Sequence, residues 1–212
     1  MKGMGHMAGF PAFFDDAPAI RLRDPLAGFL GAGDGMMAYR YADAVRLCGH
    51  SCPVVAGAWL MLRAGLARLY DGGVPERGGI ELHMRDGAAQ GTAGVTASVA
   101  TLVTGAAGEG GFYGIGTGHR FSRRGLLRFG AGIDGMMGLR RCDTGAGVVV
   151  DIDVGHVPHD PAIADLMPRA VTGRADAAEL ARFAALFQDR VRRMFMAADD
   201  PKLIRVRDWP AP

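Results

Sequence analysis

Two thiols and an imidazole lie close together in Cys48-Gly49-His50-Ser51-Cys52-Pro53. Thiolate sulfur and imidazole nitrogen are the donors that zinc and other thiophilic transition metals take. In an extended segment positions 48, 50 and 52 project to one side, and Gly49 lets the backbone turn tightly enough to gather them. Proline suits the first position of a helix, so Pro53 places Cys52 at the N-cap. There unpaired N–H groups and the helix dipole favour a thiolate. The motif offers three ligands, which implies a fourth from elsewhere in the protein or an open position for water or substrate. His119, in GIGTGHRFSRRG, is the first choice for a fourth; beside Arg120, Arg123 and Arg124 its ring also reads as part of an anion site. Cys48 and Cys52 also suit a reversible disulfide with Cys52 as the low-pKa partner, although the usual redox spacing is C-x-x-C. His83, His156 and His159 read as solvated. No P-loop, G-x-S-x-G elbow or H-E-x-x-H is present.

The elements around the motif follow from its flanks. Met36–Leu47 has helical periodicity, with Met37, Tyr41, Ala44 and Val45 on one face. Pro53 and Asp71-Gly72-Gly73 bracket a second helix, 53–70, apolar nearly all round and therefore central. Gly79–Met84 alternates as a strand with Ile80, Leu82 and Met84 inward and Glu81 and His83 outward. Gly91–Ala107 is a helix of small residues striped by Val95, Val99, Leu102 and Val103. Short strand signals at 126–129, 136–142 and 148–154, separated by glycine turns, suggest a meander. Asp176–Ala198 is an amphipathic helix with Leu180, Phe183, Ala184, Phe187, Val191 and Met194 on its apolar face. Residues 1–35 read as an N-terminal arm docked by Phe10, Phe13, Phe14 and Phe29, 36–160 as the core, and 161–212 as a helical extension packed on it. The order of elements is therefore helix, strand, helix and then several strands, an α+β arrangement.

Composition narrows the function classes. With 24 basic and 22 acidic residues the chain carries a formal +2, too balanced for a nucleic-acid groove or a polybasic membrane anchor. No apolar run reaches the roughly 18 residues of a membrane span, and Met1–Gly9 shows no signal-peptide pattern. Three cysteines, an odd number, argue against a disulfide framework and for a reducing cytoplasm. Glycine, at 33 of 212 residues, is about double its usual share of about 7%. The glycines are densest between Gly105 and Gly118.

CGHSCP ahead of an apolar helix, then PERGGIELH, GTAGVTASVATLVTGAA and GFYGIGTGHRFSRRGLLRF, resembles the FmdE family, named for a component of formylmethanofuran dehydrogenase. The likeness runs from Tyr41 to Phe129 and more loosely to Val154, and it implies an α+β two-layer sandwich in which helix, strand, helix and three strands make a mixed sheet. The family signature H-G-H-x-C-P reads C-G-H-S-C-P here. The resemblance implies a metal, usually zinc, at His50 and Cys52, with Cys48 substituting one ligand type for another. A cysteine that members often carry in a T-G-C segment is replaced in Thr104-Gly105-Ala106, and the C-terminal zinc ribbon of many members is absent. Nothing supplies a molybdopterin, tungsten or iron–sulfur site.

The sequence thus leads to a cytoplasmic α+β metal-binding protein, FmdE-like, holding zinc through Cys48, His50, Cys52 and His119 with a small-molecule or metal ligand. A haem-binding or sensing module using the same Cys/His set is the competing class. A homodimer is expected from the small-residue helix and the apolar 53–70 helix. The glycine-dense loop is expected to approach the metal site with backbone.

Overall fold

A computed structural model describes residues 9–210. In chain order the elements are α1 (Phe13–Asp16), β1 (Ile20–Arg23), α2 (Pro25–Phe29), β2 (Met36–Tyr39), α3 (Tyr41–Cys48), α4 (Pro53–Tyr70), β3 (Ile80–Met84), α5 (Ala93–Thr104), β4 (Leu127–Arg128), β5 (Met137–Arg141), β6 (Gly147–Ile152), α6 (Ile163–Val171), α7 (Ala177–Met196) and β7 (Ile204–Trp209). A five-stranded sheet in the order β4-β3-β5-β6-β7 is parallel at β3–β4 and antiparallel elsewhere. Helices α4 and α5 cover one face of it, which makes the α+β two-layer sandwich that the sequence implies.

Helix α4 is the spine of the molecule. Pro53 opens it, and Asp71 closes it in the left-handed conformation. Trp59, Leu60, Met61 and Leu62 are all buried. Its glycines set the helix–sheet distance: a Cβ at Gly65 would lie 2.3 Å from Leu139 Cδ1, and one at Gly57 would lie 2.9 Å from Ile152 Cδ1. Because α4 is enclosed by the sheet, α5 and α7, it has no free apolar face to share with a second copy, and that part of the reason to expect a dimer falls.

Four other readings change. Met36–Tyr39 is strand, paired antiparallel with β1, and the helix begins only at Tyr41, because the backbone N–H of Arg40 donates to the Asp43 carboxylate as a cap. The three strand signals are no meander: β4 lies beyond β3, parallel to it, while β5, β6 and β7 run on antiparallel. The segment after α7 contributes β7, whose register pairs Ile204 with Ile152 and Val206 with Val150. Finally, α7 is buried only toward its C-terminal half, at Arg190, Val191 and Met194, while Leu180 is exposed and Phe183 and Phe187 stack on each other.

The N-terminal arm is stitched into this core. Phe14 is buried edge-on to Tyr41, with Phe10 and Phe13 packed around it. Phe29 departs from the expectation: it is exposed and packs against Phe121. Residues 1–8, also part of the expected arm, and 211–212 lie outside the described residues. Among the described residues no helix is long and apolar enough to cross a membrane.

Candidate functional site

The motif forms the turn between α3 and α4. Cys48 is the last residue of α3, Gly49 caps it at φ 74° in the left-handed region that favours glycine, and Cys52 is the N-cap of α4. Two bonds hold the turn from outside. Ser51 Oγ and Tyr41 Oη lie 2.9 Å apart, and Gln188 Nε2 of α7 donates to the Ser51 carbonyl at 2.9 Å. His50 Nδ1 lies 2.9 Å from the Cys48 carbonyl oxygen. A carbonyl only accepts, so Nδ1 carries the hydrogen and Nε2 of the neutral ring keeps its lone pair. Metal-binding imidazoles are commonly oriented in this way.

Both motif thiols are half-buried and reduced. Burial pushes the Cys48 thiol up, and the neighbouring Cys52 pushes it further. Burial also raises the Tyr41 phenol; its Ser51 bond opposes that rise and the two cysteines add to it. Cys48 and His50 line an open cleft of about 450 Å³ walled by Leu47 of α3 and by Ala88, Ala89, Gly91, Gly94, Val95 and Ser98 in and just before the start of α5.

The donor chemistry suits a thiophilic ion, but the donors are only partly gathered. Among the described residues no three His, Cys, Asp or Glu side chains are grouped as they would be around one ion. His119 sits in the 112–121 loop at φ 49°, edge-on to Tyr113 with Nε2 3.1 Å from its hydroxyl. That loop packs on α2 through Phe29 and Phe121.

The glycine-dense segment makes its close approaches elsewhere too. A Cβ at Gly105 would lie 2.2 Å from Arg123 Nη1, and one at Gly114 would lie 2.3 Å from the His119 carbonyl oxygen. These glycines seat Arg123 and close a hairpin, so the expectation that the loop's backbone serves the metal motif gives way.

Arg123 is not a surface anion ligand either. It is buried and donates through Nη2 to Asp24 Oδ1 at 2.8 Å, while Arg77 Nη1 donates to Asp24 Oδ2 at 2.9 Å. Asp24 also caps α2 through the Leu26 and Ala27 N–H groups. Sequence reasoning missed this cluster. Its one local signal was Asp24-Pro25, an N-cap before a first-turn proline.

The remaining histidines among the described residues are held by protein groups. His83 is buried under the Trp209 ring, with Nε2 3.1 Å from Glu81, so it is not the solvated outward residue expected. His156 pairs with Asp200 at 2.8 Å, and His159 contacts Arg190. Cys142 lines a separate cavity of about 500 Å³ with Tyr70, Glu76, Arg141 and Asp143. Burial and then the charges of Glu81 and Asp143 push its thiol up, away from nucleophilic character.

No protein-family profile matches the chain, and no curated protein matches it either. Among solved structures, a tungsten formylmethanofuran dehydrogenase FmdE-like protein from Syntrophus aciditrophicus aligns over 82% of this chain and 74% of its own, at 15% identity and a TM-score of 0.40.

Proposed function

We propose that the chain binds a thiophilic transition-metal ion, zinc foremost, through Cys48 and Cys52, with His50 as third ligand. One observation carries the reading: two half-buried thiols flank the α3–α4 turn, beside an imidazole whose backbone bond leaves Nε2 for a ligand. Bound zinc would supply Lewis acidity and a more acidic coordinated water. The protein's own part is to hold the turn through Tyr41 and Gln188 and to keep small walls around the cleft. His119 is left out of the ligand set.

Elemental analysis of the purified chain and zinc titration test this. Native protein takes up one zinc, and Cys48→Ser with Cys52→Ser abolishes uptake. His50→Ala weakens it about 10–100-fold, by analogy with loss of groups supporting a metal site, and His119→Ala leaves it unchanged. Metal retained by the double serine variant would move the site, and absence of zinc, iron, nickel and copper with no uptake would end the reading. A Soret band would substitute the haem reading.

Uptake should also depend on pH in a definite direction. Cys48 must lose a proton that its surroundings hold more tightly than usual. The apparent zinc affinity therefore rises with pH, by about tenfold per unit for each thiol proton displaced. Affinity flat between pH 6 and 8 would exclude Cys48 as a ligand.

Two half-buried free thiols flanking one turn also suit a second reading, a reversible Cys48–Cys52 disulfide. Thiol titration under oxidising and reducing conditions separates it from metal binding, since thiols that never pair would end it. Homodimerisation through the small-residue helix would use the outer face of α5, where Leu47, Leu102, Leu127 and Phe129 border an apolar groove. A monomeric mass in sedimentation disposes of it.

A further inference from the structure

The 112–124 segment and the end of α2 form a surface unlike the rest of the molecule. Phe29, Phe112 and Tyr113 are 54%, 43% and 53% exposed. Guanidinium groups interleave with these rings: Arg120 lies over Phe29 and Phe121 at 5.2 and 4.4 Å, and Arg124 over Tyr113 at 4.7 Å. His119 adds a third nitrogen donor edge-on to Tyr113. Most exposed arginines elsewhere are neutralised by carboxylates, as in Arg46–Asp43, Arg68–Asp208, Arg169–Glu179 and Arg192–Asp189. Among the described residues Arg120 and Arg124 have no carboxylate partner. A near-zero net charge thus conceals a local excess of positive charge, and the balance that argued against an extended nucleic-acid groove says nothing against a compact patch.

The backbone presents this surface in a fixed shape. Ile115 and Arg120 exchange backbone hydrogen bonds at 2.8 and 3.1 Å, and Arg123 N–H donates to the Phe112 carbonyl at 2.8 Å. Rings and guanidinium planes ordered before binding lose less entropy on engagement.

An isologous contact between two copies would bring the same unpaired cations together, so the charge calls for an anionic partner. Half-exposed rings interleaved with guanidinium planes fit stacked bases, and the charges without carboxylate partners fit phosphates. We propose that this patch binds single-stranded nucleic acid, with Tyr113 and Phe29 as stacking platforms and Arg120 and Arg124 as phosphate contacts.

Fluorescence anisotropy of the full chain with fluorescein-labelled U12 and dT12 tests it. Saturable binding is expected in the micromolar range at low salt, weakening as salt rises. Arg120→Ala with Arg124→Ala should weaken it at least about tenfold and reduce the salt slope by about 2. Tyr113→Ala should weaken it roughly 5–100-fold with the salt slope unchanged. Arg68→Ala, at a paired surface arginine, should change nothing. All four side chains are exposed, and an unchanged thermal midpoint shows that the fold is intact. Tighter U12 than dT12 binding would name RNA, and the reverse DNA. No saturable binding, or variants that bind as native does, would overturn the proposal. Polyglutamate displacing the probe as well as unlabelled U12 would reassign the patch to an acidic protein.

Discussion

Replacing Asp24 with alanine should lower the unfolding free energy by about 3–5 kcal/mol, the usual cost of leaving one member of a buried ion pair alone. That is a large share of the roughly 5–15 kcal/mol that holds a domain of ordinary stability together. The expected size follows from where the partners are. Arg123 is 5% exposed, and its Nε and Nη1 have no hydrogen-bond partner among the described residues. The Asp24 carboxylate is therefore the group that makes burying this guanidinium tolerable. Alanine also removes the α2 cap and a partner of Arg77. A urea midpoint within experimental error of the native value would show that Arg123 does not depend on Asp24.

The same carboxylate predicts a pH dependence. Burial alone would raise its pKa, but the Arg77 hydrogen bond and the Arg123 charge outweigh burial and hold it below the usual carboxylate range. A group whose folded-state pKa is depressed contributes its stability above the unfolded value, about 3.9 for Asp. That contribution is lost as pH falls through the folded value. Acid unfolding below about pH 4 should therefore be blunted in Asp24→Asn, which starts less stable and has less to lose.

What the sequence revealed and what it hid divide along physical lines. Helix α4 was legible to the residue because proline and the Asp-Gly-Gly turn punctuate it. Strand β3 was legible because alternation is a local property. Strand β2 was not: Met36–Tyr39 continues the helical period of α3, and only pairing with β1, together with the Asp43 cap at Arg40, breaks it. Strand β7 carried only a short signal, Ile204 and Val206 alternating with Arg205 and Arg207, beside the much longer helical period of α7. The Cys-Gly-His-Ser-Cys-Pro motif was visible as composition, and its turn was foreseen in Gly49 and Cys52. The packing of the His119 hairpin on α2 could not be, since it depends on contacts far apart in the chain, and Arg123 was read with its exposed neighbours because burial is not a local property of an arginine.

The glycine excess supplies the second large effect, through Gly105. This residue caps α5 at φ 74°, where any side chain is strained by about 1–2 kcal/mol. The greater cost is steric. An added Cβ would lie 2.2 Å from Arg123 Nη1 and 3.1 Å from Arg77 Nη1. The end of an arginine usually swings away from such a contact, but this one cannot do so freely. Its Nη2 is tied to Asp24, and Gly78 closes the other side, where a Cβ would stand 2.5 Å from Cζ. Gly105→Ala should thus displace the buried pair as well as strain the turn, for a loss of about 3 kcal/mol or more. In an Arg123→Met background the flexible thioether can yield, and the same substitution should cost only the backbone strain. A coupling of at least about 1 kcal/mol between the two positions is the expected result of the double-mutant cycle. Additive losses would mean that Gly105 is needed for its φ alone, and that the seat of Arg123 is wider than the structure makes it.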